Sequence, residues 1–422
     1  MSAGWQWLRE SPRFGVLLAS RTVSRVGDVL FALAAAWTVL GHTHSVFLAA
    51  VVPLLTTLPP IVLALPLAAL ADRWPKKLVM VISDWGRALL VATAGVLLRA
   101  GDPIPGVLYG VTLLLAVGGL LFSPAVTAVI PRVVPPKHLA RANGLWTAVM
   151  GVLSIGSYAV GGLLIAWLSP GWALIVDAVT FAVSGGVLCW LRIPDVRAKA
   201  TRGARGLLTD SAAGLRYLWS DRYLRRLILV LAPMNLVFGP FPIFSLVFSR
   251  LLLHAGIAGF GTIEAASGLG SVAAGALVGK VSSRLTLQGW VRTAAAGSDA
   301  ALGLALLARN LTVAVMCYGV IWFLTGVVSI PFVSAIQGSA PSHMVGRVLS
   351  ALLLLMSGVT APLGLLVGSW AMGDFGPLAA LWAQAATLAA VAAITLVVRL
   401  NPPAPHPVNY AYRILDAPDP EV

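Results

Sequence analysis

Runs of roughly twenty or more apolar residues recur along almost the whole chain, at about 14–40, 45–70, 78–98, 106–130, 143–168, 172–191, 226–248, 257–279, 288–308, 311–336, 347–372 and 377–398. This feature narrows the fold more than any motif does. A bilayer core of ~30 Å takes about 20 apolar residues in a helix, and lipid offers no partner to an unpaired backbone group. Of the 422 residues, 59% are hydrophobic and 10% charged, where an average soluble domain carries about 25% charge. A polar surface cannot wrap so apolar a core, so the solvent is lipid. The runs predict an all-α integral membrane protein with twelve transmembrane helices. The first run, after Arg13, is too long for the ~7–15-residue apolar stretch of a cleaved signal peptide.

The formal net charge of +14 has a topological explanation rather than a nucleic-acid one. Loops after even-numbered runs hold Arg73, Lys76, Lys77, Arg132, Lys137, Arg141, Lys280, Arg284 and Arg347, and the long connection after the sixth is basic throughout. Loops after odd-numbered runs hold only Arg99, Arg250 and Arg309. Basic loops stay on the cytoplasmic side, so both termini are expected there. Arginine far outnumbers lysine, and Ala, Gly and Val abound. That suggests a GC-rich bacterial genome, hence a bacterial inner membrane. The connection at 194–222 leads into "LLTDSAAGLRYLWSDRYLRR" (207–226), in which Leu208, Leu215, Leu218 and Trp219 share one helical face. That predicts a helix lying along the inner membrane surface. The tail at 401–422 is Pro-rich and expected to be poorly ordered.

The chain repeats itself. "SPAVTAVIPRVVPPKHLAR" (123–141) matches "SIPFVSAIQGSAPSHMVGR" (329–347), with Pro124 on Pro331, Pro135 on Pro341 and Arg141 on Arg347. A near-constant shift of 206 or 207 residues argues for duplication. Two pseudo-symmetric six-helix halves follow, at 1–193 and 223–400. Parallel six-span repeats with a site between them are the plan of one large transporter class.

"ALADRWPKK" (69–77) resembles the loop signature between spans two and three of the major facilitator superfamily. "SDWGRALL" (83–90), "WALIVDAVTFAVSG" (172–185) and "GLRYLWSDRYLRRLILV" (214–230) are similar to the drug-exporter branch that includes macrolide and enterobactin exporters. The resemblance implies that Asp72 faces the start of span eleven near Arg347 and helps to shut the inner side. Arg73 and Lys77 belong to the same loop, and Asp84 and Arg87, three apart on one helical face, extend the network. The alternative is that Arg73, Lys76 and Lys77 only set topology. Span five reads "SYAVGG" where antiporters of the family often carry G-P-x-x-G-G. Gly161 and Gly162 retain the close helix packing that small residues allow.

Ionisable side chains inside spans cost at least about 2.5–3.5 kcal/mol at the centre and mark function. Asp28 lies mid-span one and Glu264 two turns into span eight. Either is a candidate for proton coupling or substrate contact, because burial raises a carboxyl pKa. Alternatively Asp28 is the fixed ion-pair partner of Arg25, three residues earlier, with Arg21 a turn before. Asn235 is a further polar candidate in span seven. By family likeness spans one, four, seven and ten line the cavity, which discounts Asp177 and Asp299. The aromatics Trp37, Tyr109, Phe238, Phe241, Tyr318 and Trp322 fall on those cavity helices, where they either meet an amphipathic substrate or simply pack.

No P-loop, zinc motif or nucleophile elbow occurs. Cys189 and Cys317 lie inside apolar runs without metal-ligand spacing. The expectation is a carrier rather than an enzyme, with no cofactor or metal. Its partners are a small-molecule substrate, protons and the bilayer, without nucleic acid, and it is monomeric. The expected activity is export of amphipathic drugs or siderophores by proton antiport. An importer or uniporter of a metabolite, or a sensor built on the same fold, are the alternatives.

Overall fold

The computed structural model describes residues 6–101, 105–193, 204–281, 286–341, 344–398 and 400. Among these every regular element is helical: α1 (Gln6–Glu10), α2 (Pro12–Thr43), α3 (Val46–Arg73), α4 (Lys76–Arg99), α5 (Pro105–Val133), α6 (Leu139–Trp190), α7 (Ala204–Ser220), α8 (Arg222–Phe238), α9 (Phe241–Val247), α10 (Gly256–Val281), α11 (Leu287–Ala308), α12 (Leu311–Ser339), α13 (Val345–Leu355), α14 (Ala361–Phe375) and α15 (Pro377–Val397). Nine described segments are long and apolar enough to cross a membrane, and Val46–Pro59 is a shorter apolar one. The outer face suits lipid: Trp190, Leu307, Leu396 and Val397 stand exposed on it.

Helix breaks follow local chemistry. The fifth and sixth apolar runs form one element, α6, interrupted where Ser169 takes φ 71° and ψ 158°. Pro170 follows, and a residue before proline is pushed out of the α region. The seventh run splits at Gly239 and Pro240 into α8 and α9, then widens into a π-turn at Phe248–Leu252. The eleventh run has its own π-turn, Met356–Thr360, just ahead of Pro362. Proline has no N–H to return to the preceding turn, so the hydrogen-bond ladder re-registers there.

The internal repeat maps like onto like. Pro124 lies inside α5 and Pro331 inside α12. The Pro135 carbonyl accepts from the His138 amide at 2.9 Å, and the Pro341 carbonyl from the Met344 amide at 2.8 Å. In the first half α2 and α4 both pack on α6; in the second α10 and α11 pack on α12, and α15 on α11.

The helix α7 packs on α13. Its Gly214 lies against the backbone of Arg347, where a Cβ would collide, and Leu218 is fully buried. Leu215 and Trp219 are exposed, and Leu208 lies outside the described side chains. Leu218 thus turns to the protein while Leu215 and Trp219 on the same side of the helix stay exposed. The tail at 401–422 lies outside the described residues.

At the end of the bundle where α2 begins, called proximal here, the Glu10 carboxylate accepts from Lys137 Nζ at 2.9 Å and pairs with His138 Nε2 at 3.1 Å. These bonds hold the exposed Glu10 carboxyl below the ordinary glutamate value of 4.5, the Lys137 bond most. A carboxyl depressed on folding stabilises the fold above its unfolded pKa, and that stability is lost as pH falls through the folded value. In Lys137→Met the Glu10 midpoint, followed by carboxyl 13C NMR, is expected to move back up. An unmoved midpoint would mean that Lys137 does not hold it.

Candidate functional site

Six charged side chains of the first half gather at one place. From α2 come Arg21, Arg25 and Asp28, from α4 Asp84 and Arg87, and from α6 Asp177. Asp28 meets Arg21 at 3.1 Å, Arg25 at 3.5 Å and Arg87 at 3.8 Å, and Arg87 also meets Asp84 at 3.7 Å. The three guanidinium groups pair with Asp28 and Asp84, and Asp177 lies nearby against Gly27, so the cluster can be neutral overall. Arg87 is almost fully buried between the rings of Phe122 and Phe181, 5.4 and 5.5 Å from their centroids. Space for it comes from α5: a Cβ at Gly118 would stand 2.8 Å from Arg87 Nε. Similarly, a Cβ at Gly27 would collide with the Asp177 carboxylate. Asp177 also accepts from Thr180 at 3.3 Å. A hydroxyl chain closes the site, with Ser20 to Ser184 at 2.7 Å and Ser184 donating to Asp84 at 2.5 Å.

Asp84 and Arg87, expected with the loop charges, join Asp28. Asp177, discounted from the sequence, is part of the cluster and fully buried. Asp28 gains Arg87 as a third arginine neighbour beside Arg21 and Arg25. In the loop itself, Lys77 donates to the Cys189 carbonyl at 2.7 Å. Arg347 contacts the Met344 sulfur at 3.8 Å. The Asp72 and Arg73 side chains lie outside the described residues.

Between the halves run three apolar cavities. One of about 250 Å³ touches Leu33, Thr57, Tyr158, Pro242 and Phe260. A second, of about 520 Å³, is lined by Asn235, Phe238, Trp322 and Met356. A third, of about 440 Å³, carries Tyr158, Glu264, Ser267 and Trp322. The Asn235 carbonyl oxygen accepts from Thr360 at 3.0 Å, tying α8 to the second π-turn. Glu264 is buried and accepts from Ser245 at 2.5 Å. No arginine or lysine among the described residues pairs with it. Ser245 belongs to α9, the short helix that the break at Pro240 creates.

Of the six expected cavity aromatics, Phe238 and Trp322 line a cavity between the halves. Phe241 and Tyr318 are buried behind them, with ring centroids 5.5 Å apart, and brace Phe238 and Trp322 from the rear. Tyr109 faces elsewhere: its hydroxyl donates to the Leu48 carbonyl at 2.8 Å and ties α5 to α3. Trp37 belongs to the opposite, distal end of the bundle. There the Arg250 guanidinium lies 4.3 Å from its ring centroid and donates to its carbonyl at 3.0 Å. The sequence had Arg250 as a loop cation. Its one signal was isolation, an arginine at an end poor in basic residues.

Apart from α7, which also touches α3, contacts between the halves gather toward that distal end. Gly162 of α6 meets α10 so closely that a Cβ would stand 2.9 Å from both Gly261 Cα and the Ile257 carbonyl. Gly161 packs on Leu30 and Leu33 of α2. Tyr158 and Phe260 stack edge to face across the same seam, 6.2 Å apart.

Two bundles that touch at one end, with cavities between them, are the geometry of a carrier. The model of the Major Facilitator Superfamily matches residues 17–361. The chain belongs to this superfamily. It is therefore a multi-pass membrane transporter of small molecules and not an enzyme. Among its relatives is the protein named multidrug efflux pump Tap of Mycobacterium tuberculosis, 26% identical over 377 residues, 84% of this chain and 86% of that one. The Tap protein of Mycolicibacterium fortuitum is 27% identical over 384 residues, covering 88% and 90%. Among solved structures, a bacterial homologue of the human lysosomal transporter Spinster superposes with TM-score 0.68 at 16% identity, covering 92% of this chain and 96% of that one. A bacterial homologue of the iron transporter ferroportin superposes with TM-score 0.63 at 17% identity, covering 90% and 98%. At such identities the likeness concerns the fold alone.

Proposed function

We propose that this transporter exports small amphipathic compounds, with protons moving the other way, by alternating access between the halves at 1–193 and 223–400. The supporting observation is a pair of dissimilar acidic sites, of which Glu264 lines an apolar cavity. Asp28 sits in a cluster whose arginines offset its charge. Glu264 sits in an apolar wall with a serine as its polar partner. An uncompensated buried carboxylate is costly and takes up a proton or a cation. Glu264 is thus the group that exchanges its proton against a substrate, and Asp28 with Arg25 transmits the change through α2. The relatives named as multidrug efflux pumps favour a drug-like substrate.

With basic loops inward, the proximal end and both termini are cytoplasmic, in a bacterial inner membrane. The cavities then open to the cytoplasm while the distal seam is shut. Asp72 closes the proximal side in the opposite state, α7 rides at the inner membrane surface, and the transporter works as a monomer.

The test is accumulation of fluorescent amphipathic compounds in cells stripped of their own exporters. Wild type, Asp28→Asn and Glu264→Gln are compared at equal expression, before and after an uncoupler. Wild type is expected to lower accumulation, with the uncoupler and each substitution restoring it at least about tenfold toward the empty-vector level, as for loss of ~1.4 kcal/mol or more. Export that survives the uncoupler would overturn proton antiport. Export unchanged in both variants would remove the two carboxylates from the mechanism.

A further inference from the structure

The distal end holds a second kind of cavity, polar where the others are apolar. Its volume is about 510 Å³ and its walls include Trp37, His42, Arg99, Ser169, Trp172 and Arg250. Two cations face it from different halves. Arg99, the last residue of α4, lies with its guanidinium 3.9 Å from the Trp172 ring centroid. Arg250, in the π-turn after α9, lies 4.3 Å from that of Trp37. Each guanidinium lies over an indole, which restrains it and leaves N–H groups free to donate elsewhere. Arg250 spends one nitrogen on the Trp37 carbonyl. Among the described residues no carboxylate lines this cavity. Gly171 and the break at Ser169 admit Arg99: a Cβ at Gly171 would stand 2.7 Å from Arg99 Cγ.

Guanidinium groups with spare donors match an anion with several equatorial oxygens. The depth selects its source. Arg99 and Trp172 are exposed at the rim, and Trp167 stands exposed near the same end of α6. Tryptophan gathers at the headgroup level of a bilayer. We propose that this vestibule binds the phosphate of an anionic lipid headgroup from the adjacent leaflet, bridging Arg99 of the first half to Arg250 of the second. A lipid held this way clasps the distal seam shut, since opening the seam separates the two arginines. This site goes beyond the export reading and does not depend on it.

The test is native mass spectrometry of the detergent-solubilised full chain, titrated with phosphatidylglycerol. Wild type is expected to retain one lipid more tightly than Arg99→Gln and Arg250→Gln, by about tenfold, the size expected for a lost charged hydrogen bond. Arg309→Gln, which alters another exposed arginine at the same end, should match wild type. Arg99 is itself exposed, so its variant keeps the fold even if Arg250→Gln does not. Equal retention by wild type and Arg99→Gln overturns the site. Displacement of the lipid by millimolar inorganic phosphate overturns the lipid assignment in favour of a free anion. Persistence of the lipid in that phosphate supports the lipid assignment.

Discussion

Arg87→Met is expected to destabilise the first half by about 3–5 kcal/mol, the usual cost of removing one partner from a buried ion pair. In a unit of this size that lowers the melting temperature on the order of 10 °C. The cost arises because Arg87 sits between Asp28 and Asp84, at 3.8 and 3.7 Å, with rings above and below it. Methionine fills much of the slot between Phe122 and Phe181, so lost packing is a small part of the effect. What remains is Asp84 without its counter-charge, and Asp28 with two of its three arginines, in a region of low dielectric. Asp84→Asn in the Arg87→Met background should therefore recover part of the loss, and the two substitutions should be clearly non-additive. Loss of monodisperse protein on heating in detergent is the measurement. An unchanged melting temperature for Arg87→Met would mean that the cluster does not hold this half together.

Gly162→Leu should disable transport while leaving each half folded. A Cβ there meets two backbone atoms of α10 at 2.9 Å, and backbone cannot turn aside as a side chain does. The seam must part. Overpacking costs about 1–3 kcal/mol, and all of it falls on the state in which α6 and α10 touch. In a two-state carrier that penalty shifts the population toward the distal-open form. Transport is expected to fall about tenfold or more, with monomeric protein still recovered. Spin labels placed across the distal end should report a longer distance. Transport within twofold of wild type, at equal expression, would show that the seam need not close during the cycle.

Legibility from sequence divided along physical lines. The apolar runs announced helices in lipid, because no other structure satisfies so many backbone groups without water. The duplication was readable as well: Pro124 and Pro331 each lie inside a helix. Close approach at Gly162 followed from residue size. The partners of buried charges were not readable. Asp28, Asp84 and Asp177 lie far apart in sequence, on three helices, and sequence spacing speaks only to neighbours on one helix. Asp84 was paired correctly with Arg87, three residues on, yet their link to Asp28 came from helix packing.

The sequence by itself determined that this chain is an all-helical, duplicated membrane protein of the major facilitator kind. Those properties follow from composition, period and repeat, which are local or statistical. Only the tertiary structure decided that three arginines and three aspartates form one cluster, that Glu264 has a serine and no described cation beside it, and that Arg250 crosses to Trp37. Such contacts depend on how helices rotate and cross, set by where glycines let backbones approach and where prolines break the turn. Burial in lipid makes each contact matter, since an unpaired charge there has no water to fall back on.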